Sequence, residues 1–486
     1  MDIRRITENR RAIGTAMLVS VLLLLILVNV IINALATRFS WYLYTKENYE
    51  HEIGDASWAV LDDVPEGERV KVIFCTAEEK IEANAVNRLV LNTVRQLAER
   101  HDFIDIEFVN IYLHPHKVRP YASYTDASGE TVETKITESS VIFASGKDHR
   151  VESFSTFFTW DASGTSSGYN GEEIALSLIR WVLADSHPVV GFTNTHGENF
   201  EDMIAFVTSL VASGYNITML DLGEEIPENV AMVVVANPRW DLEASAEGSD
   251  VSAELDRLAE FSDRGGTVFV SLDPYAKSDL TGLRAFLSER GLTASQEVIR
   301  DTENSLTTDG YTLITDAADG RFASVVFDRI NEFYSSHAIV REASAIECTP
   351  VGDWQAEPIL LSSPNAETYY RGELTDSRGS YPVFAVSRRA AGEQTSTVFL
   401  TTSVYLLAND ALNSGTYLNR ATLMASFEAA SGLRMPVGCT ILTIGSDRLE
   451  GLTIGTARWY AALLTAILPL SVAAVGTVVL VRRKFR

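Results

Sequence analysis

The chain has 486 residues, 46% of them hydrophobic and 22% charged, enough for two or three packed domains and unlike collagen or a disordered polymer. Its net charge of −25 is uneven: residues 1–12 sum to +2 and residues 482–486 to +4, which leaves −31 between them. A surface of that sign repels phosphates and anionic headgroups at short range, so a nucleic-acid partner is not expected.

In chain order, the first element is Ile13 to Leu35, 23 uncharged residues containing fifteen Leu, Ile or Val side chains. About 20 such residues cross the ~30 Å of bilayer hydrocarbon, and this run predicts a transmembrane helix over 13–35. Trp41, Tyr42 and Tyr44 follow as an interfacial aromatic belt. Ala34-Leu35-Ala36 has the form of a signal-peptidase site, and a cleaved leader is the competing reading. A second span is predicted over 459–481, from Trp459-Tyr460 to Arg482-Arg483-Lys484. With both outer flanks basic, residues 1–12 and 482–486 are expected in the cytoplasm. The domain between the two spans then lies outside the cell membrane.

Residues 40–185 read as an N-terminal α/β portion. Val70 to Phe74 is a short β-rich run, and Val86, Leu89, Val90, Val94, Leu97 and Ala98 recur at helical spacing. Ile104 to Val109 alternates apolar and acidic residues as a half-buried strand does, and Ser140 to Ala144 is another strand. This β-α-β opening is thioredoxin-like in outline, without a pair of redox cysteines. Cys75, Cys348 and Cys439 show no metal spacing and no C-x-x-C, and read as small buried hydrophobes. A Gly/Ser-rich stretch, Asp161 to Asn170, precedes Gly171-Glu172-Glu173 and a helical stripe of Ile174, Leu178, Trp181 and Val182.

Residues 186–455 carry the clearest fold signal. Strands are predicted at Pro188–Phe192, Ile217–Leu222, Met232–Ala236 and Val268–Leu272. Between them, Phe200, Met203, Ile204, Val207, Leu210 and Val211 mark one helix face, and Leu255, Leu258 and Ala259 another, closed by Gly265-Gly266. Fully apolar strands alternating with helices predict a parallel sheet covered on both faces, in a flavodoxin-like, doubly wound α/β layout. A β-rich insertion is expected over about 291–400, with strands at Val325–Phe327, Val383–Val386 and Thr397–Leu400. The helix Ala421–Ala430 closes the domain.

In open α/β sheets ligands bind beyond the carboxyl ends of the strands. Three polar loops fall there: Thr195-His196-Gly197-Glu198, Asn237-Pro238-Arg239 and Asp273-Pro274-Tyr275. His196 beside Glu198 suits acid–base work or a bound cation; the structural alternative is a capped helix start using Glu198 or Asn199. On a non-catalytic role for the domain, His196→Ala is expected to leave the fold intact. Thr195, His196, Gly197, Glu198, Asn237 and Asp273 are the candidate ligand-binding residues. The strand-to-helix elbow that holds a Ser or Cys nucleophile in amidotransferases and α/β-hydrolases carries Asn237-Pro238, and neither G-x-S-x-G nor a P-loop motif occurs. No catalytic residue, cofactor or metal is therefore expected, with His114-Pro115-His116 read as a solvated pair.

The N-terminal anchor, Gly171-Glu172-Glu173 before a helix, the strand leading into Thr195-His196-Gly197-Glu198, the strand ending Leu272-Asp273-Pro274 and the closing membrane segment together resemble a family. It is the GldG-type auxiliary subunits of gliding-motility-associated ABC transport systems. Where that family usually reads T-G-H-G-E, this chain has Thr195 directly before His196. The resemblance implies a class I amidotransferase-like middle domain without its nucleophile. It also implies a cytoplasmic ABC ATPase and a polytopic ABC-2-type permease as partners. The expected function is a non-catalytic, membrane-anchored subunit presenting its acidic domain to substrate or partner. The alternative is a membrane-anchored ectoenzyme, a hydrolase or amidase using His196, Glu198 and Asp273.

Overall fold

The computed structural model describes residues 52–125, 131–160, 166–243, 253–331, 337–392, 394–414, 416–432 and 442–443, with single positions at 459, 476, 482 and 483. The spans expected at 13–35 and 459–481, and both basic tails, lie outside the described residues but for those single positions. Among the described residues no helix is long and apolar enough to cross a membrane. Residues 51–486 group as one compact unit of mixed α/β structure.

Its first sheet contains β1 (Val70–Phe74), β2 (Ile104–Phe108), β3 (Ser140–Ala144) and β4 (His149–Ser153), in the order β2-β1-β3-β4. Strands β1 and β2 are parallel, with Val70 opposite Ile104, and β3 and β4 each run antiparallel to the neighbour before them. Every residue of β3 is buried, as expected of a central strand covered on both sides. Helix α1 (Ala85–Arg100) begins where the Asn84 side chain accepts from the N–H groups of Val86 and Asn87, at 3.0 and 3.1 Å. Leu89, Val90, Val94 and Leu97 of the expected stripe are buried, and Leu91 and Thr93 widen it, whereas Val86 in the first turn is 44% exposed. Helix α2 (Gly171–Leu183) is buried on nearly every side because it sits between the two sheets' cores.

The second sheet takes up β5 (Val189–Thr193), α3 (Ile204–Ala212), β6 (Asn216–Leu220), β7 (Val230–Ala236), α4 (Glu254–Asp263), β8 (Thr267–Ser271) and α5 (Thr281–Ser288). After these come β9 (Leu292–Arg300), α6 (Arg321–Asn331), β10 (Ser344–Cys348), β11 (Gln355–Leu361), β12 (Ala366–Tyr370) and β13 (Glu373–Gly379). The hairpin β14 (Pro382–Ala391) and β15 (Gln394–Thr401), then α7 (Asn419–Ser431), complete the unit. Strands β6-β5-β7-β8-β15 are parallel in that order. Strands β14, β11 and the short Asp316–Ala317 extend them antiparallel to make eight. Along β7, Met232, Val234 and Ala236 enter the core under α3, α6 and α7, while Val233 and Val235 enter the core under α4 and α5. That alternation between two apolar layers explains the unbroken run of hydrophobic residues.

Three sequence readings change. Val325 to Phe327, expected as a strand, lie in α6: Phe322, Val326 and Ile330 recur every fourth residue and are buried, while Val325 is 56% exposed. The β-rich stretch read over about 291–400 divides among three sheets, one of them the antiparallel pair Thr312–Ile314 with Ile339–Arg341. Strands β9, β10, β12 and β13 form a separate antiparallel sheet, and β11, β14 and β15 belong to the main one. Of the face expected for α3, Met203 and Leu210 are buried and Phe200 and Val207 pack against the core, but Ile204 is 61% and Val211 37% exposed, and Ala205, Phe206 and Ser209 are buried instead.

Candidate functional site

Strands β5 and β7 are the pair at which the parallel order reverses direction, the place where ligands gather in open α/β sheets. The loop after β5 folds back on itself through Glu198. One carboxylate oxygen accepts from the Thr193 hydroxyl at 2.5 Å and the other from the His196 backbone N–H at 2.8 Å. Gly197 makes the reversal at φ +80°, and a Cβ there would stand 2.8 Å from the Trp240 ring. The His196 carbonyl accepts from the N–H groups of Arg239 (2.7 Å) and Trp240 (3.2 Å), which ties this loop to the one after β7. Asn199 Oδ1 accepts from Glu201 N–H at 3.2 Å just ahead of the short turn Glu201–Met203, whose own N-cap position, Phe200, supplies no side-chain cap.

The His196 ring is 4% exposed and lies between two carboxylates. Its Nε2 is 2.9 Å from Glu254 Oε2, at the start of α4, and its Nδ1 is 3.7 Å from Glu198 Oε1 and 3.2 Å from the Thr195 hydroxyl. Glu198 first, with Glu254 behind it, outweighs the cost of burial and pushes the imidazole up to about 9. Burial favours the neutral form of Glu198, but the His196 ring, the Thr193 hydroxyl and backbone N–H groups more than offset it, holding the acid below its usual range. His196 is thus an imidazolium at neutral pH with its ring nitrogens engaged. Such a group clamps two loops; a general base operating near pH 7 needs a pKa close to that pH.

Asn237 occupies the elbow after β7 in the left-handed region, at φ 54°, a conformation Asn tolerates better than most residues. Its N–H donates to the Ser271 carbonyl at 2.8 Å, and its Oδ1 accepts from the Ser271 hydroxyl at 2.7 Å. The elbow geometry is therefore present with an amide engaged at its tip.

Of the candidate residues, Thr195, His196, Gly197, Glu198 and Asn237 come together on two adjoining loops. Asp273 stands apart: its Oδ1 accepts from Tyr275 N–H at 2.8 Å, and it borders a cleft of about 830 Å³ between the two sheets. Glu254 was not singled out from the sequence, being 58 residues beyond His196 in a stretch with no motif. Cys75 and Cys348 are free thiols that burial pushes up to about 12, which leaves them unreactive. No group of three or more His, Cys, Asp or Glu arranged to hold a metal occurs among the described residues.

The Gly171-Glu172-Glu173 motif ties distant segments together. A Cβ on Gly171 would stand 1.8 Å from the buried Tyr169 hydroxyl, so only glycine fits. Glu172, 1% exposed, accepts from Gly54 N–H at 3.3 Å and from the Ser57 hydroxyl. Glu173, 3% exposed, accepts from Asn170 Nδ2 at 2.8 Å and from Arg420 Nη1 at 3.0 Å, which joins the N-terminal portion to α7.

No protein-family profile and no curated protein matches the chain. Among solved structures it is similar to the N-terminal domain of mmIFT52, at 14% identity and a TM-score of 0.37 over 49% of this chain and 96% of that one. It is similar to a ThuA-like protein from Bacteroides uniformis at 12% identity and a TM-score of 0.31, over 51% and 93% of the two chains. PurLQS from Thermotoga maritima gives 12% identity and a TM-score of 0.26, over 50% and 99%. Likenesses this distant assign neither a family nor an activity.

Proposed function

We propose that the chain is a non-catalytic, membrane-anchored auxiliary subunit of an ABC-2-type transport complex of the GldG type, displaying its acidic domain outside a bacterial cell membrane. The observation that carries this reading is the state of the switch-point loops. The elbow that would hold a nucleophile presents Asn237 bonded to Ser271, and the one histidine beside it is clamped as a cation by Glu198 and Glu254. Loops so arranged suit recognition better than turnover.

The strand orders support the finer fold reading. The order β6-β5-β7-β8-β15 is the 2-1-3-4-5 arrangement of flavodoxin-like sheets, consistent with an amidotransferase-like domain that has lost its chemistry. The order β2-β1-β3-β4 followed by α2 fits a thioredoxin-like portion. Two membrane helices, each with its basic end in the cytoplasm, would place the domain beside a polytopic permease. A separate cytoplasmic ATPase would supply the energy.

Purification of the full chain in mild detergent, with identification of what accompanies it, tests the reading. An ABC ATPase and a polytopic permease in constant ratio are expected, and a solitary chain across several detergents counts against it.

A further inference from the structure

The geometry points to the cleft between the two sheets as a binding site for a small organic cation, an ammonium or guanidinium head on an apolar body. Its volume of about 830 Å³ lies within the ~300–1,000 Å³ of small-molecule sites. The inference rests on the lining of the cleft and holds whether or not the chain assembles with a transporter.

One buried acceptor lies on the wall of the cleft. Asn170 lines the cleft at 2% exposure, and its Nδ2 donates to Glu173 Oε2. A carboxylate only accepts, so the amide cannot be turned the other way round. Asn170 Oδ1 is then left without a partner among the described residues, and so is the neighbouring Glu173 Oε1. Buried polar atoms are nearly always satisfied, so the Asn170 acceptor without a donor on the cleft wall calls for a ligand with N–H groups.

Charge sets the sign of that ligand. Asp202, Asp273, Glu342 and Asp410 line the cleft against only Arg341 and Arg420. Arg420 is already matched by Glu173 at 3.0 Å, so the balance is strongly negative. Anions are excluded by repulsion, and a neutral polyol would leave the surplus uncompensated. The remaining wall mixes hydroxyl and amide side chains with an apolar face, on which Trp160 is 47% and Ile204 61% exposed, with Tyr405 also on the lining. Aromatic faces next to carboxylates receive a cation together with its hydrocarbon body.

The test is isothermal titration of the full chain in detergent with phenethylamine, its neutral isostere 2-phenylethanol and the blocked tripeptide Ala-Lys-Ala. Phenethylamine is expected to bind with a Kd below about 1 mM, and the alcohol at least about tenfold more weakly. Asp273→Asn combined with Glu342→Gln is expected to weaken the amine at least about tenfold without lowering the melting temperature, and Trp160→Ala several-fold. Glu66→Gln with Glu79→Gln, which removes two exposed carboxylates elsewhere, should leave affinity unchanged and so exclude general attraction to an acidic surface. Equal binding of amine and alcohol, indifference to the cleft substitutions, or no binding by any amine at millimolar concentration overturns the proposal. Tighter binding of the tripeptide than of phenethylamine also overturns it, by transferring the site to a basic peptide.

Discussion

His196 owes its charge to Glu198 and Glu254, and that coupling makes stability depend on pH. The imidazole has its ordinary value near 6.5 in the unfolded chain and about 9 in the folded one. A raised folded value means the stabilisation is complete below pH 6.5 and disappears as pH climbs through 9. By linkage it is worth about 3 kcal/mol. Urea unfolding of the wild type should weaken between pH 6.5 and 9.5, and His196→Gln should flatten that slope. His196→Ala would leave Glu198 buried without its cation, so a loss of about 3 kcal/mol replaces the sequence expectation of an untouched fold. The partner that creates this effect was illegible from sequence because no spacing rule connects residue 196 to residue 254.

Glu173 and Arg420 make a second residue-scale case. Arg420→Ala strands a buried carboxylate and should cost about 3–5 kcal/mol, measured by denaturant midpoint. Adding Glu173→Gln should recover part of that loss, since the neutral amide no longer needs a counter-charge. At Gly171 the obstacle is steric. A methyl group would meet the Tyr169 ring, which is fully buried and cannot withdraw, so Gly171→Ala should destabilise by about 3 kcal/mol.

At the scale of elements, period and apolar runs carried most of the fold. The strands beginning at Val189, Asn216, Val230 and Thr267 were found to within about two residues, because continuous apolar strands bounded by Gly, Pro and Asn have few alternative readings. Helix α3 is apolar almost all round, so its pattern cannot choose between Ile204 or Val211 and Phe206 as neighbours of the buried Leu210, and packing of Phe206 against Phe192 and Phe269 decides. Phe206→Ala should therefore cost about 3–5 kcal/mol in thermal or denaturant unfolding, while Ile204→Ser should change stability by less than about 0.5 kcal/mol. The short run Val325–Phe327 failed for a related reason: three β-branched or aromatic residues look alike in a strand and on a helix, and the wider spacing to Phe322 and Ile330 decides. The site divides in the same way. The loops after β5, β7 and β8 were legible from the rule that ligands gather at strand ends, but the separation of Asp273 from His196 depends on tertiary packing that the sequence pattern does not encode.

At the scale of the whole molecule, the proposed role joins a strongly acidic α/β unit to two expected membrane spans and is one of recognition instead of turnover. Its surface charge, clamped histidine and amide-bearing elbow all agree with that role. The most direct measurement is mass spectrometry of the complex retained by the full chain after gentle solubilisation of its native membrane. The account predicts an ABC ATPase and a multi-helix permease in stoichiometric amounts with the chain. A chain recovered alone under every mild condition, with turnover of a hydrolysable substrate that depends on His196 and Glu198, would contradict it.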